Sequence, residues 1–208
     1  MVLKVILCLI LGYIFGCFST GYFVGKLNKV DIREHGSGNV GTTNALRTLG
    51  AKAGAVTLLG DVIKAVIPMM VVRLLLFKGL DIVELLTLYT GFGVVLGHNY
   101  PVWLKFKGGK GMAATGGVMA TFDPLIIPIG LPLFVIIVAI TRYVSLGSLF
   151  VAVFFPVWIV IRHPGDIHML ILSLVFMLLA FIKHKSNIKR LLNGTENKIG
   201  QRVKLESK

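Results

Sequence analysis

Apolar residues run almost unbroken through 3–26, 53–77, 82–104, 124–141, 144–162 and 167–183, with a weaker, small-residue stretch at 110–122. A bilayer core about 30 Å thick takes about 20 apolar residues per straight helix, so each long run predicts one membrane span. The stretch Gly111–Phe122 is short for a span. Its glycines, alanines and threonines allow close approach to neighbouring helices, which predicts a short helix surrounded by protein. The first run, apolar from Val5 to about Val24, is longer than the roughly 7–15-residue core of a signal peptide and is expected to stay in the chain as a span. No internal repeat and no inverted pair of interrupted helices is visible.

Composition sharpens this picture. The 208 residues are 55% hydrophobic and 15% charged, with a mean hydropathy of +0.84, so no length remains for a separate soluble domain. The expectation is an all-α integral membrane protein, a single polytopic domain over 1–208 with a basic tail at about 184–208. Any chemistry must then use loops and helix ends, because irregular backbone survives at membrane depth only where protein or a wet cavity covers it.

Orientation follows from the basic residues, which are retained on the cytoplasmic side. With the N-terminus outside, one face collects Lys26, Lys29, Arg33, Arg47, Lys52, Lys105, Lys107, Lys110, Arg142 and the basic tail from Lys183. The other face holds only Lys4, Lys78 and Arg162, with Arg73 at the outer end of the second span. Because Lys105–Lys110 and the tail share a face, an even number of crossings separates them. Either 110–122 and all three later runs cross, giving seven spans, or two of the four cross, giving five.

The net charge of +13 fits anionic lipid or an anionic substrate, and in so hydrophobic a chain it argues against nucleic acid. Cys8 and Cys17 lie in one apolar run without metal-ligand spacing and are expected to be packing thiols. Cys-x-x-Cys, His-Glu-x-x-His and Gly-x-Ser-x-Gly patterns are absent, and the absence of a His-x4-Asp pair argues against the acyltransferases that use one.

Three polar clusters interrupt the apolar chain, all on the predicted cytoplasmic face. In His35–Asn44, glycines at 36, 38 and 41 let amides turn inward as an anion nest, with Ser37, Asn39, Thr42, Thr43 and Asn44 as short donors and Arg47 beyond as a two-pronged phosphate ligand. Lys105–Gly111 is a glycine-rich turn with three lysines entering a helix, a place that favours anions. It departs from a nucleotide-binding P-loop, since Leu104 replaces the first glycine and Gly111 stands where Ser or Thr is needed. In Lys183–Asn187, His184 and Asn187 share a helix face, continuing to Arg190 and Glu196. Each cluster alone reads equally as a capped loop or a basic anchor; their convergence on one face favours a site. Asp61 and Lys64, three residues apart within a span, form a charge pair that is structural or functional, and Ser145 and Ser148 can face the same pocket. A transporter would carry its charges near the midplane, and a protein binding lipid headgroups would not need the His184/Asn187 pair.

In order along the chain, Gly36–Asn44 with Arg47, Lys107–Gly111, and His184–Asn187 with Glu196 resemble the bacterial acyl-phosphate-dependent glycerol-3-phosphate acyltransferases, the PlsY family; Gly60–Lys64 and Tyr143–Gly147 are similar to family segments too. The resemblance spans essentially the whole chain and favours seven transmembrane helices, N-terminus outside and C-terminus cytoplasmic. It implies a multi-pass enzyme of the bacterial inner membrane with a cytoplasmic active site, no cofactor or metal, and a monomeric state. Its partners would be acyl phosphate, glycerol 3-phosphate and membrane lipid. The reaction implied is the first acylation of phospholipid synthesis: the 1-hydroxyl of sn-glycerol 3-phosphate attacks acyl phosphate, giving lysophosphatidic acid and phosphate. On this resemblance Ser37 and Arg47 bind substrate phosphate, Lys107 with the Gly108, Gly109, Lys110 and Gly111 amides holds the acyl phosphate, and His184 and Asn187 orient the glycerol phosphate. Gly38, Asn39, Thr43, Asn44 and Ser145 line the substrate, while Asp61, Lys64 and Glu196 support the site. The proton acceptor is either His184 or a substrate phosphate.

Overall fold

The protein is described by a computed structural model covering residues 1–201; the tail residues 202–208 lie outside the described residues. Ten α-helices follow one another without strands among these residues: α1 Val2–Gly16, α2 Thr20–Leu27, α3 Thr42–Leu49, α4 Ala51–Val71, α5 Val83–Asn99, α6 Met112–Phe122, α7 Ile127–Thr141, α8 Val144–Arg162, α9 Ile167–Lys183 and α10 Lys185–Leu192. Four helical stretches are long and apolar enough to cross a membrane, namely Val2–Leu27, Ala51–Leu76, Pro124–Thr141 and Val144–Arg162. α9 and α10, bent by 62° at His184, reach that length and hydropathy only when taken together. α5 follows as a 17-residue helix, and α6, with 11 residues, rises about 16 Å, half the thickness of a hydrocarbon core. As expected of a short helix enclosed by protein, α6 buries Ala114, Gly117, Val118 and Phe122.

The first apolar run is not one continuous helix. It breaks at Cys17–Ser19, where Ser19 is extended at φ −100°, ψ 91°. Backbone carbonyls freed at membrane depth need donors. Trp103 Nε1 donates to Cys17 O at 2.8 Å and Lys64 Nζ to Phe18 O at 2.7 Å. Neither Pro nor Gly occupies the break, and its donors come from distant segments, so the apolar pattern carries no sign of it. The third run also ends early: α5 stops at Asn99, ahead of Pro101, and 102–104 forms a separate turn.

α1 and α5 pack closely through two reciprocal small-residue pairs. A Cβ at Gly12 or Gly16 would overlap the α5 backbone at Thr90 and Val94, and one at Gly93 or Gly97 would overlap α1 at Leu9 and Tyr13. Both pairs have the Gly-x-x-x-Gly spacing that lets helix backbones touch in lipid. Gly16→Leu is therefore expected to force the helices apart at a cost of about 1–3 kcal/mol or more, read as a lowered thermal midpoint in detergent. The interior core runs from α4 through α9 and includes Met69, Leu88, Val94, Val118, Phe155, Ile159 and Phe176. Ile6, Leu7 and Ile10 of α1, Leu59 and Ile63 of α4 and Ile136 and Ile140 of α7 are exposed, as a lipid-facing surface requires. Cys8 and Cys17 are buried and unbridged.

Candidate active site

The loop before α3 owes its shape to two glycines and one asparagine. Gly36 (φ 62°) and Gly38 (φ 68°) sit in the left-handed region that side chains disfavour. The Asn44 carboxamide then ties the loop from inside: Oδ1 accepts from Ser37 N at 2.9 Å, and Nδ2 lies 2.9–3.1 Å from the carbonyls of Asn39, His35 and Ile32. Asn44 is thus committed to the backbone. Its hydrogen bonds place Ser37 at the rim of a cavity, with Asn39, Thr43 and, one turn on, Arg47 along the same wall. Burial pushes the Arg47 guanidinium below its ordinary pKa; Glu196 opposes the shift and Arg190 adds to it.

The second loop differs from its expected role. Gly108 N donates to Asn99 O at 3.2 Å and Gly109 N to His98 O at 3.0 Å, so these two amides fasten the loop to the end of α5. A Cβ at Gly108 would overlap His98 O and one at Gly109 the His98 ring, which makes close packing on α5 the reason for both glycines. Lys107 is exposed and outside the cavity, whereas Lys110 and Gly111 line it. The two lysines exchange places because Gly111 takes φ 81° at the α6 N-terminus and the turn before it carries residue 107 outward. Lys110→Ala is accordingly expected to reduce turnover by about 100-fold, and Lys107→Ala far less, in a side-by-side assay of purified variants.

The third cluster closes the cavity. At the 62° bend, His184 is 2% exposed and its Nδ1 lies 2.8 Å from Ala180 O. A carbonyl only accepts, so Nδ1 carries the proton and Nε2 keeps its lone pair. Burial, reinforced by the Lys110 charge, lowers the His184 pKa to about 4, which leaves the imidazole neutral at physiological pH. Lys110 Nζ donates to Asn187 Oδ1 at 2.5 Å, and Asn187 Nδ2 donates to Glu196 Oε1 at 2.7 Å. Glu196 also accepts from Ser145 Oγ at 3.1 Å and Arg190 Nε at 2.8 Å. One carboxylate therefore joins α8 and α10 to the segment after α10, and through Asn187 it reaches Lys110. Burial lowers the Lys110 pKa to about 8, against the pull of Glu196.

These groups bound one cavity of about 470 Å³. Ser37, Asn39, Thr43, Asn44, Arg47, Asp61, Lys110, Gly111, Ser145, His184, Asn187 and Glu196 line it; Gly38, Lys64, Lys107, Gly108 and Gly109 do not. His98, Arg190 and Asn197 also line the cavity. His98 was missed by the motif reading although an ionisable residue at the end of an apolar run is itself a signal. Away from the polar end, Met112, Gly116, Met119 and Ala120 of α6, Ile127, Leu131 and Phe134 of α7 and Val151 of α8 form an apolar arm. Among the described residues no cluster of His, Cys, Asp and Glu has metal-binding geometry.

Several apolar helices define a multi-pass membrane protein, and a cavity with a cationic end and an apolar arm has the shape and charge to take an anionic headgroup together with an acyl chain. The sequence profile of the glycerol-3-phosphate acyltransferase family matches residues 6–194, and the chain belongs to that family. It is 42% identical over 202 residues to the glycerol-3-phosphate acyltransferase of Thermoanaerobacter pseudethanolicus, covering 97% of this chain and 98% of the relative. The Bacillus subtilis glycerol-3-phosphate acyltransferase is 40% identical over 194 residues, covering 93% and 96%. Crystal structures of the integral membrane glycerol 3-phosphate acyltransferase PlsY superpose on it. The glycerol 3-phosphate form gives a TM-score of 0.86 at 34% identity over 94% of this chain and 96% of the other. The lysophosphatidic acid form gives 0.83 at 33% identity over 95% and 96%.

Proposed function

We propose that this protein transfers an acyl group from acyl phosphate to the 1-hydroxyl of sn-glycerol 3-phosphate, giving lysophosphatidic acid and phosphate as the first step of phospholipid synthesis. The observation that carries this reading is the joining of Arg47, Lys110 and Arg190 to a long apolar arm in one cavity. Two phosphates and an acyl chain need that combination. Among the described residues no Phe, Tyr or Trp lines the polar end, Phe134 lying on the apolar arm, so no large ring is offered there to an adenine, which supports acyl phosphate over acyl-CoA.

Acyl phosphate is already an activated mixed anhydride, so positioning and charge stabilisation suffice and no covalent nucleophile is needed. Ser37 and Arg47 hold a substrate phosphate, with Asn39 and Thr43 beside them. Lys110, rather than Lys107, neutralises the donor phosphate. His184 and Asn187 orient the glycerol phosphate, and the proton leaves to His184 Nε2 or to a phosphate oxygen. Asn44, Gly108 and Gly109 shape the two loops, and Glu196 and Ser145 brace Asn187. The distribution of basic residues supports an N-terminus outside and a site on the cytoplasmic face of a bacterial inner membrane; it fits either seven or five crossings, and the family resemblance favours seven. The enzyme acts without metal or cofactor, as a monomer.

The test is to supply purified protein with labelled glycerol 3-phosphate and either donor. Lysophosphatidic acid and equimolar phosphate are expected with acyl phosphate alone. Comparable turnover with acyl-CoA as the sole donor would refute the donor assignment.

A further inference from the structure

Three ionisable side chains meet at the wall of the cavity: Asp61 and Lys64 of α4 and His98 of α5, with Asp61 1% and His98 4% exposed. Asp61 and His98 line the cavity, and Lys64 stands behind them. The Lys64 ammonium has three protons, and three acceptors lie around it: Phe18 O at 2.7 Å, Asp61 Oδ1 at 2.8 Å and His98 Nδ1 at 2.8 Å. An ammonium donates and never accepts, so His98 Nδ1 is an acceptor and the ring's own proton resides on Nε2. The alternative, Nδ1–H donating to Asp61, fits less well, because that separation is 3.5 Å.

The Nε2–H so defined has no hydrogen-bond partner among the described residues, the ring's single such contact being at Nδ1. It belongs to a buried ring that lines the cavity, and it borders Gly109, whose added Cβ would land on Nε2. The next residue is Lys110, the cation of that wall. Nε2 is open to the cavity rather than sealed in the protein, so an acceptor that enters the cavity can take its hydrogen bond. The break between α1 and α2 also finds its place here: it frees the Phe18 carbonyl that completes the Lys64 shell.

We propose that His98 is a further catalytic residue, its Nε2–H donating a hydrogen bond to an oxygen of the acyl phosphate, with Lys64 and Asp61 as positioning residues that fix its tautomer. This rests on the acyl phosphate reading above. In the reaction the glycerol oxygen bonds to the acyl carbon, the bond from that carbon to the phosphate oxygen breaks, and its electron pair leaves with phosphate. The hydroxyl proton goes to His184 or a phosphate oxygen. His98 transfers no proton; its hydrogen bond strengthens as charge develops on the oxygen it faces.

The test begins with 15N spectra of the imidazoles in purified wild-type protein, the His98 signals being assigned by their loss in His98→Gln. Nε2 is expected to carry the proton, Nδ1 to be unprotonated, and addition of a non-hydrolysable acyl phosphonate to shift the Nε2–H signal. Lys64→Met should redistribute the proton between the two nitrogens. In turnover assays His98→Ala is expected to lose about 100-fold in kcat, with the glycerol 3-phosphate KM changed less than about threefold, and His98→Gln, which restores an N–H, to recover about tenfold. A proton on Nδ1, no response to the phosphonate, His98→Ala within about threefold of wild type, or His98→Gln no better than His98→Ala would each overturn the proposal. Failure of the donor reading shows separately, as wild-type protein that makes no lysophosphatidic acid from acyl phosphate.

Discussion

Purified His184→Ala and Asn187→Ala are each expected to lose about 100-fold or more in kcat while remaining folded and membrane-inserted. His184 keeps a neutral nitrogen lone pair on Nε2 because Ala180 O accepts the hydrogen bond from Nδ1–H and burial keeps the ring from charging. Asn187 is clamped between Lys110 and Glu196, so its loss frees the cation that the loop before α6 brings to the polar end. The pH profile supplies a second readout. With its pKa lowered to about 4, His184 contributes no acid limb near neutrality. Lys110, lowered to about 8, is charged below that pH and loses its proton above it. The kcat/KM of the free enzyme is therefore expected to fall as pH rises through about 8, and Lys110→Arg to move that alkaline limb upward. Near-wild-type kinetics for both alanine variants would remove the third cluster from the site and leave two phosphate-binding loops.

Glu196→Ala is expected to have the larger effect on stability. Its carboxylate, with a side chain 5% exposed, receives Ser145, Asn187 and Arg190 at once. Removing it leaves the Arg190 guanidinium and two buried donors uncompensated. Breaking such a pair costs about 3–5 kcal/mol, toward the lower end here because Arg190 is about a third exposed. The expected result is a markedly lower thermal midpoint together with loss of turnover. Glu196→Gln, which keeps an acceptor for one of the three, should recover part of the stability. A midpoint within a degree or two of wild type for Glu196→Ala would refute the bracing role.

The long apolar runs determined the helical membrane architecture by themselves, since no other structure satisfies the backbone in lipid, and most helices fall where the runs predict. The polar interruptions likewise named residues that the fold brings together: Ser37, Arg47, Lys110, His184, Asn187 and Glu196 come from three separated segments and line one cavity. Family membership was legible too, because it rests on residue order and spacing. Tertiary structure alone decided the rest. Whether Lys107 or Lys110 faces the cavity depends on a left-handed Gly111 and on amides spent on the end of α5. The break at Cys17–Ser19 exists because Trp103 and Lys64 arrive from elsewhere to take its carbonyls. Which nitrogen of His98 is left without a partner depends on Lys64, 34 positions away, which occupies Nδ1. Periodicity reports which environment a residue prefers, whereas hydrogen-bond partners distant along the chain are chosen by packing, and packing is where this site acquires its direction.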